Sequence, residues 1–165
     1  MQTTAAPPTR KATRFMYAGL ALTAIATLAP LLDIATVDAL SAHVREAYPN
    51  WPEELIAMDR NAIAGYLATI GVLGTAGWLW TIRGVKKQTR WSRPASTALF
   101  ALGATTALMN LTLTGGEYAN VIPPLHATLG ALPAIAGLVT ITTLWRGKSR
   151  PTPSEKMINS SDSRA

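Results

Sequence analysis

Four stretches of this chain run without a single Asp, Glu, Lys, Arg or His: Phe15–Leu32, Ala62–Ile82, Pro94–Thr114 and Ala127–Trp145. A helix needs roughly 20 apolar residues to cross a hydrocarbon core of about 30 Å. It also pairs its own backbone donors and acceptors, which hydrocarbon cannot do for it. A soluble helical bundle would carry a polar, charged stripe along each helix, and these four segments have no charge to build one. The expected fold class is all-α: a four-helix transmembrane bundle with a short amphipathic helical outer loop between helices 1 and 2. The spans are expected at about 15–33, 61–82, 94–114 and 123–145, inside a transmembrane domain of residues 14–146.

The distribution of charge orients that bundle. The net charge of +6 would suit a nucleic-acid binder if it were spread over one surface. Instead the basic residues are Arg10, Lys11 and Arg14, then Arg83, Lys86, Lys87, Arg90 and Arg93, then Arg146, Lys148, Arg150, Lys156 and Arg164. All of these fall on one side of the four spans, and only Arg45 and Arg60 on the other. The acids Asp33, Asp38, Glu46, Glu53, Glu54, Asp59 and Glu117 share that other side. Basic residues in short loops are retained in the cytoplasm. Both termini and the central loop are therefore expected to be cytoplasmic, and no nucleic-acid partner is expected. The expected localisation is the plasma membrane of a bacterial cell, a setting that the abundance of Ala and the excess of Arg over Lys also suggest. The aromatic rings of Phe15, Tyr17, Trp78, Trp80, Trp91 and Trp145 fall near the cytoplasmic ends, where amphipathic rings favour the interface. Basic residues before an apolar run, with Ala24-Ile25-Ala26 inside it, also describe a cleavable signal peptide. The apolar run continues to Leu32, so an uncleaved anchor is expected.

Residues 1–13 and 147–165 read as disordered cytoplasmic tails. In the outer loop, 34–60, the spacing of Val37, Leu40, Val44 and Tyr48 predicts an amphipathic helix. Pro49 should stop it. Asn50 should cap the next helix, with Glu53 three residues on completing a capping box. Gly115-Gly116 should end the third span and Pro123-Pro124 should open the fourth. Ala64, Ala68, Gly71 and Thr75 on one span and Gly130, Ala134 and Gly137 on another form small-residue faces that let helix backbones approach.

The candidate polar site consists of Asn110, Glu117, Tyr118, His126, His43, Asp33 and Asp59. Asn110 is the most polar side chain well within a span and needs a partner there, which another helix or a bound ligand would supply. The others belong to the outer side, where convergence would create a site for a proton, a metal or a small ligand. No metal-ligand spacing is present, and the absence of Cys removes thiol chemistry. None of the four uncharged stretches holds an acid or base of the kind that ion-coupled transport uses. A bis-histidine haem would need both histidines at depth, and neither His43 nor His126 is there. There is no phosphate loop, nucleophile elbow or HExxH pair. No cofactor is expected.

Glu46-Ala47-Tyr48-Pro49, Gly77-Trp78-Leu79-Trp80, Asn110-Leu111, Pro123-Pro124 and Leu144-Trp145-Arg146 together resemble uncharacterised four-helix integral membrane proteins of actinobacteria, over about residues 14–147. The resemblance implies an architecture and transfers no site. Size and span number are similar to the DoxX-like group by architecture alone. The sequence thus leads to a non-enzymatic accessory or interaction subunit whose partners are the bilayer and a membrane protein or a second copy. The alternatives are a carrier or binder of a small apolar or amphipathic molecule in an intramembrane pocket and, less favoured, a membrane enzyme using the outer His/acid cluster.

Overall fold

The computed structural model describes residues 7–146. The expected tail segments 1–6 and 147–165 lie outside the described residues, as do Lys148, Arg150, Lys156 and Arg164. The described chain is helical: α1 Pro7–Ala35, α2 Ala39–Ala47, α3 Glu53–Lys86, α4 Ser92–Thr112 and α5 Pro124–Arg146. No strand occurs among the described residues beyond one isolated bridge between Gly115 and Tyr118.

Residues 7–13, expected in the tail, are helical instead. Pro7 and Pro8 suit a first turn, where the missing N–H costs nothing. Ala12 and Met16 are then completely buried against Ile82, Val85 and Leu144, and this packing extends α1 ahead of Phe15, the first residue of the uncharged run.

The four long helices close a ring: α1 lies against α3 and α5, and α4 lies against α5 and α3. Glycine sets the spacing at three points in two of these contacts, α1 with α3 and α4 with α5. The ring of Trp78 rests on Gly19, Thr27 fills the notch at Gly71, and Phe100 fills the notch at Gly137. The small faces on α3 and α5 therefore pack within the chain at Gly71 and Gly137, while Gly130 faces open space. Large apolar side chains turn outward on every long helix, including Leu28, Leu73, Leu102 and Ile135.

Three helices are long and apolar enough to cross a membrane: Arg10–Ala35 of α1, then α3 and α5. α4, although 21 residues long, is not among them. Its hydroxyls and Asn110 lower its mean hydropathy.

Candidate functional site

The acid-rich end of the ring is covered by a small crown made from α2, its flanking connectors, the first turns of α3 and α5, and the α4–α5 connector. Its core is Leu40, Val44, Ile56, Ile63, Ala64, Tyr118, Ile122 and Ala127. The expected amphipathic helix is present as α2, burying Leu40 and Val44; Val37 lies before its first turn and is exposed.

Asp33 starts the crown. Its backbone carbonyl accepts from Thr36 and Asp38, and its carboxylate accepts from the Leu40 N–H at 2.9 Å. The residue just before α2, Asp38, sits in the left-handed region and gives no side-chain cap. A carboxylate from the end of α1 therefore fills that role, satisfying an orphan donor at a helix N-terminus where negative charge is favoured. Asp38 instead turns to Arg60, whose Nη1 donates to Asp38 Oδ2 at 3.2 Å and to Ser41 Oγ at 3.4 Å. Burial works against ionisation of Asp38, but hydrogen bonding with Ser41 and the Arg60 charge outweigh it and hold its carboxyl below the usual range. This pair fastens α2 to α3.

The expected capping box is absent. α3 starts at Glu53 with extended Pro52 as its N-cap, and the Pro52 carbonyl accepts from Leu55 and Ile56. Proline's fixed φ suits that entry, so the helix begins two residues too late for Asn50 to cap it. Glu53 pairs across the connector with Arg45 at 2.7 Å. Both side chains are exposed, so the pair orients the connector and adds little stability.

Four aromatic rings occupy the middle of the crown. Trp51 stacks on Tyr48 at 3.9 Å, Tyr48 meets Tyr118 edge-on at 5.3 Å, and Tyr118 stacks with His43 at 5.2 Å. Tyr118 Oη donates to Asp59 Oδ2 on α3 at 2.5 Å. His43 Nε2 lies 2.9 Å from the Asn120 carbonyl. A carbonyl can only accept, so Nε2 carries the proton. The connector turns through Gly116 in the left-handed region, where a Cβ would strike Tyr48 Oη. That same hydroxyl accepts from the Glu117 N–H at 3.2 Å. Asn120 closes the connector by donating to the Leu111 carbonyl at the end of α4 and accepting from Ile122 N–H.

Burial, then the hydrogen bond to Asp59, the Asp59 charge and Tyr48, push the Tyr118 phenol well above its ordinary value of 10. It is a neutral donor throughout the physiological range and not a base. The folded crown keeps a proton that the unfolded chain begins to lose as pH rises past 10. The stabilisation from this group is therefore complete below pH 10 and declines above it. In a spectrophotometric titration Tyr118 should ionise well above pH 10, and Tyr118→Phe should remove that late step. Unchanged late ionisation in Tyr118→Phe would contradict the assignment.

The predicted site residues therefore separate. His43, Tyr118 and Asp59 come together. Asp33 is an α2 cap. The Glu117 side chain is exposed. Asn110 is buried and accepts from Tyr66 Oη at 2.8 Å, joining α4 to α3. His126 is 5% exposed in the first turn of α5, within electrostatic reach of Asp33 and His43, and its Nδ1 has no hydrogen-bond partner. No three His, Asp or Glu are grouped to hold a metal among the described residues. Tyr48, Trp51 and Asn120 belong to the crown without standing out as site residues in the sequence. The only signal for the first two was their place in Tyr48-Pro49-Asn50-Trp51-Pro52. Comparison of the chain with protein-family models, curated proteins and solved structures finds no match.

Proposed function

We propose that this is a non-enzymatic accessory protein of the bacterial plasma membrane, in which all four long helices cross the bilayer and the crown is an external docking platform for a membrane-protein partner. The carrying observation is that the crown's inner polar groups are largely committed to one another. Asp33 caps α2, Asp38 holds Arg60, and Asp59 holds Tyr118. That leaves an assembled surface with Glu46, Glu54 and Glu117 turned outward, rather than a nucleophile beside a base. The actinobacterial resemblance supports the bacterial setting, and the concentration of basic residues at the opposite end supports cytoplasmic termini.

Crossing by α4 is supported by its contacts along its whole length. Thr97 meets Trp145 near one end, Phe100 meets Gly137, and Asn110 meets Tyr66 near the other. Most of its hydroxyls carry little penalty in lipid because they are already paired. Ser96, Thr97, Thr106 and Thr112 donate to the carbonyls four residues back.

The chain lacks cysteine, so single cysteines give unambiguous labels. Membrane-impermeant maleimide added to intact cells should label Asn50→Cys and Glu117→Cys, and should label Gln88→Cys only after permeabilisation. Equal labelling of Glu117→Cys and Gln88→Cys would mean that α4 does not cross. In native membranes both crown cysteines should crosslink to the same protein partner and Gln88→Cys should not. Failure of the crown cysteines to give a common adduct would overturn the docking role.

One observation favours a second reading, that of a carrier for a small amphipathic molecule. A buried polar atom without a partner costs about 1–3 kcal/mol, and His126 Nδ1 is such an atom. If that cost is uncompensated, His126→Leu should be at least as stable as the parent in thermal melts. If a bound molecule offsets it, lipid extracts of the purified parent should contain a small molecule that extracts of the variant lack.

A further inference from the structure

We propose that the basic end carries a site for the headgroup of an anionic phospholipid, formed by Arg83, Lys87 and Arg90 against the indoles of Trp80 and Trp91. Trp80, Arg83 and Lys87 follow one another at the i, i+3, i+7 spacing that places side chains on one helical face. After α3 the chain folds back. Gln88 takes the left-handed conformation, and Thr89 N–H and Oγ1 both donate to the Gly84 carbonyl at 3.2 and 3.1 Å. This brings Trp91 onto Gly84 so closely that a Cβ there would lie 2.7 Å from the ring. Trp91 meets Trp80 at 5.1 Å with the planes tilted by 31°. Arg90 precedes Trp91 and is carried back with it. The α3 face and the fold-back thus meet at Trp80, Gly84 and Trp91.

Its charge is uncompensated. Arg83, Lys87 and Arg90 are exposed and have no carboxylate partner among the described residues. Lys86, by contrast, is occupied, donating to Tyr17 Oη at 2.7 Å and lying over that ring. The two indoles remain 58% and 40% exposed. Guanidinium groups bind phosphate through paired hydrogen bonds, and indoles favour the depth where headgroup meets acyl chain. A free anion would use the cations alone. The combination of cations with exposed indoles selects a phosphate that is attached to a hydrocarbon chain. The inference rests on membrane crossing by α3 and not on a partner at the crown, so failed crosslinking there leaves it intact.

The test uses the full chain in phosphatidylcholine nanodiscs doped with brominated phosphatidylglycerol or, at equal mole fraction, brominated phosphatidylcholine, with tryptophan emission as the readout. Brominated phosphatidylglycerol should quench at lower mole fraction. That preference should fall about fivefold in Lys87→Gln and further in the triple variant Arg83→Gln/Lys87→Gln/Arg90→Gln. The control triple Lys11→Gln/Arg14→Gln/Arg146→Gln removes the same charge from the same end and should keep the preference. Equal quenching by the two lipids would overturn the site. So would equal loss in both triples, which would indicate a diffuse field, or abolition of the preference by inorganic phosphate, which would indicate a free-anion site.

Discussion

Tyr118→Ala should lower the unfolding free energy by about 3–5 kcal/mol, the range for deleting a large buried aromatic. The ring is 9% exposed and touches three elements at once: His43 on α2, Tyr48 before α3, and Asp59 on α3. Removing it deletes the stacking partner of His43 and the edge contact of Tyr48, and leaves the Asp59 carboxylate without its donor. Tyr118→Phe separates these effects. It keeps the ring contacts and removes only the hydroxyl, with an expected cost of about 1–3 kcal/mol. Thermal unfolding in detergent should therefore rank the parent above Tyr118→Phe and Tyr118→Ala lowest. Proteolysis in the 48–52 connector should increase in the same order. A cycle with Asp59→Asn should show coupling, because the two groups share one hydrogen bond. Equal stability of the parent and Tyr118→Phe would mean that the phenol–carboxylate bond contributes nothing.

Gly19→Leu should be the most damaging change between the long helices. A Cβ at this position would lie 2.6 Å from Trp78 Cη2. The indole has little room to withdraw, because its Nε1 donates to Thr23 Oγ1 at 3.0 Å and Thr23 in turn donates to the Gly19 carbonyl at 2.8 Å. α1 and α3 must therefore move apart, which would disturb the neighbouring contacts at Gly71 and Gly74. Overpacking costs about 1–3 kcal/mol and occasionally more, and the rigid neighbour places this case at the upper end. Gly65→Ala and Gly130→Ala are matched controls, since nothing lies within 4 Å of a Cβ at either position. In a helix those changes should be neutral or stabilising by up to about 1 kcal/mol. Retention of the folded peak after heating, read by size-exclusion chromatography, should separate Gly19→Leu from both controls. If all three variants behave alike, the α1–α3 spacing is not set by Gly19.

The features that were legible in the sequence are those carried by local periodicity. The uncharged runs located the long helices, and the spacing of Leu40 and Val44 located α2. The need of Asn110 for a partner was also readable, because a carboxamide in an apolar helix has few other options; the identity of that partner, Tyr66, was not. The misjudged features depend on pairings that no short window contains. Asp33 caps a helix that begins after it, and Tyr118 finds Asp59 across 59 positions. The capping box at Asn50 failed because Pro52 provided an extended entry nearer to the helix. The start of α1 is not legible in the uncharged run, because its first turns are amphipathic and their apolar side becomes visible only against Ile82 and Val85.

α3 runs unbroken for 34 residues. At 1.5 Å per residue that is about 51 Å, against roughly 30 Å of hydrocarbon. The surplus is a mast. With the uncharged stretch 62–82 in the hydrocarbon, Asp59 and the aromatic rings hung from Tyr118 would stand outside the acyl chains at headgroup height. A neighbour that consisted of bare membrane helices would pass beneath that level. A neighbour that engages the crown must itself carry structure at the water boundary, and it must approach sideways along that boundary.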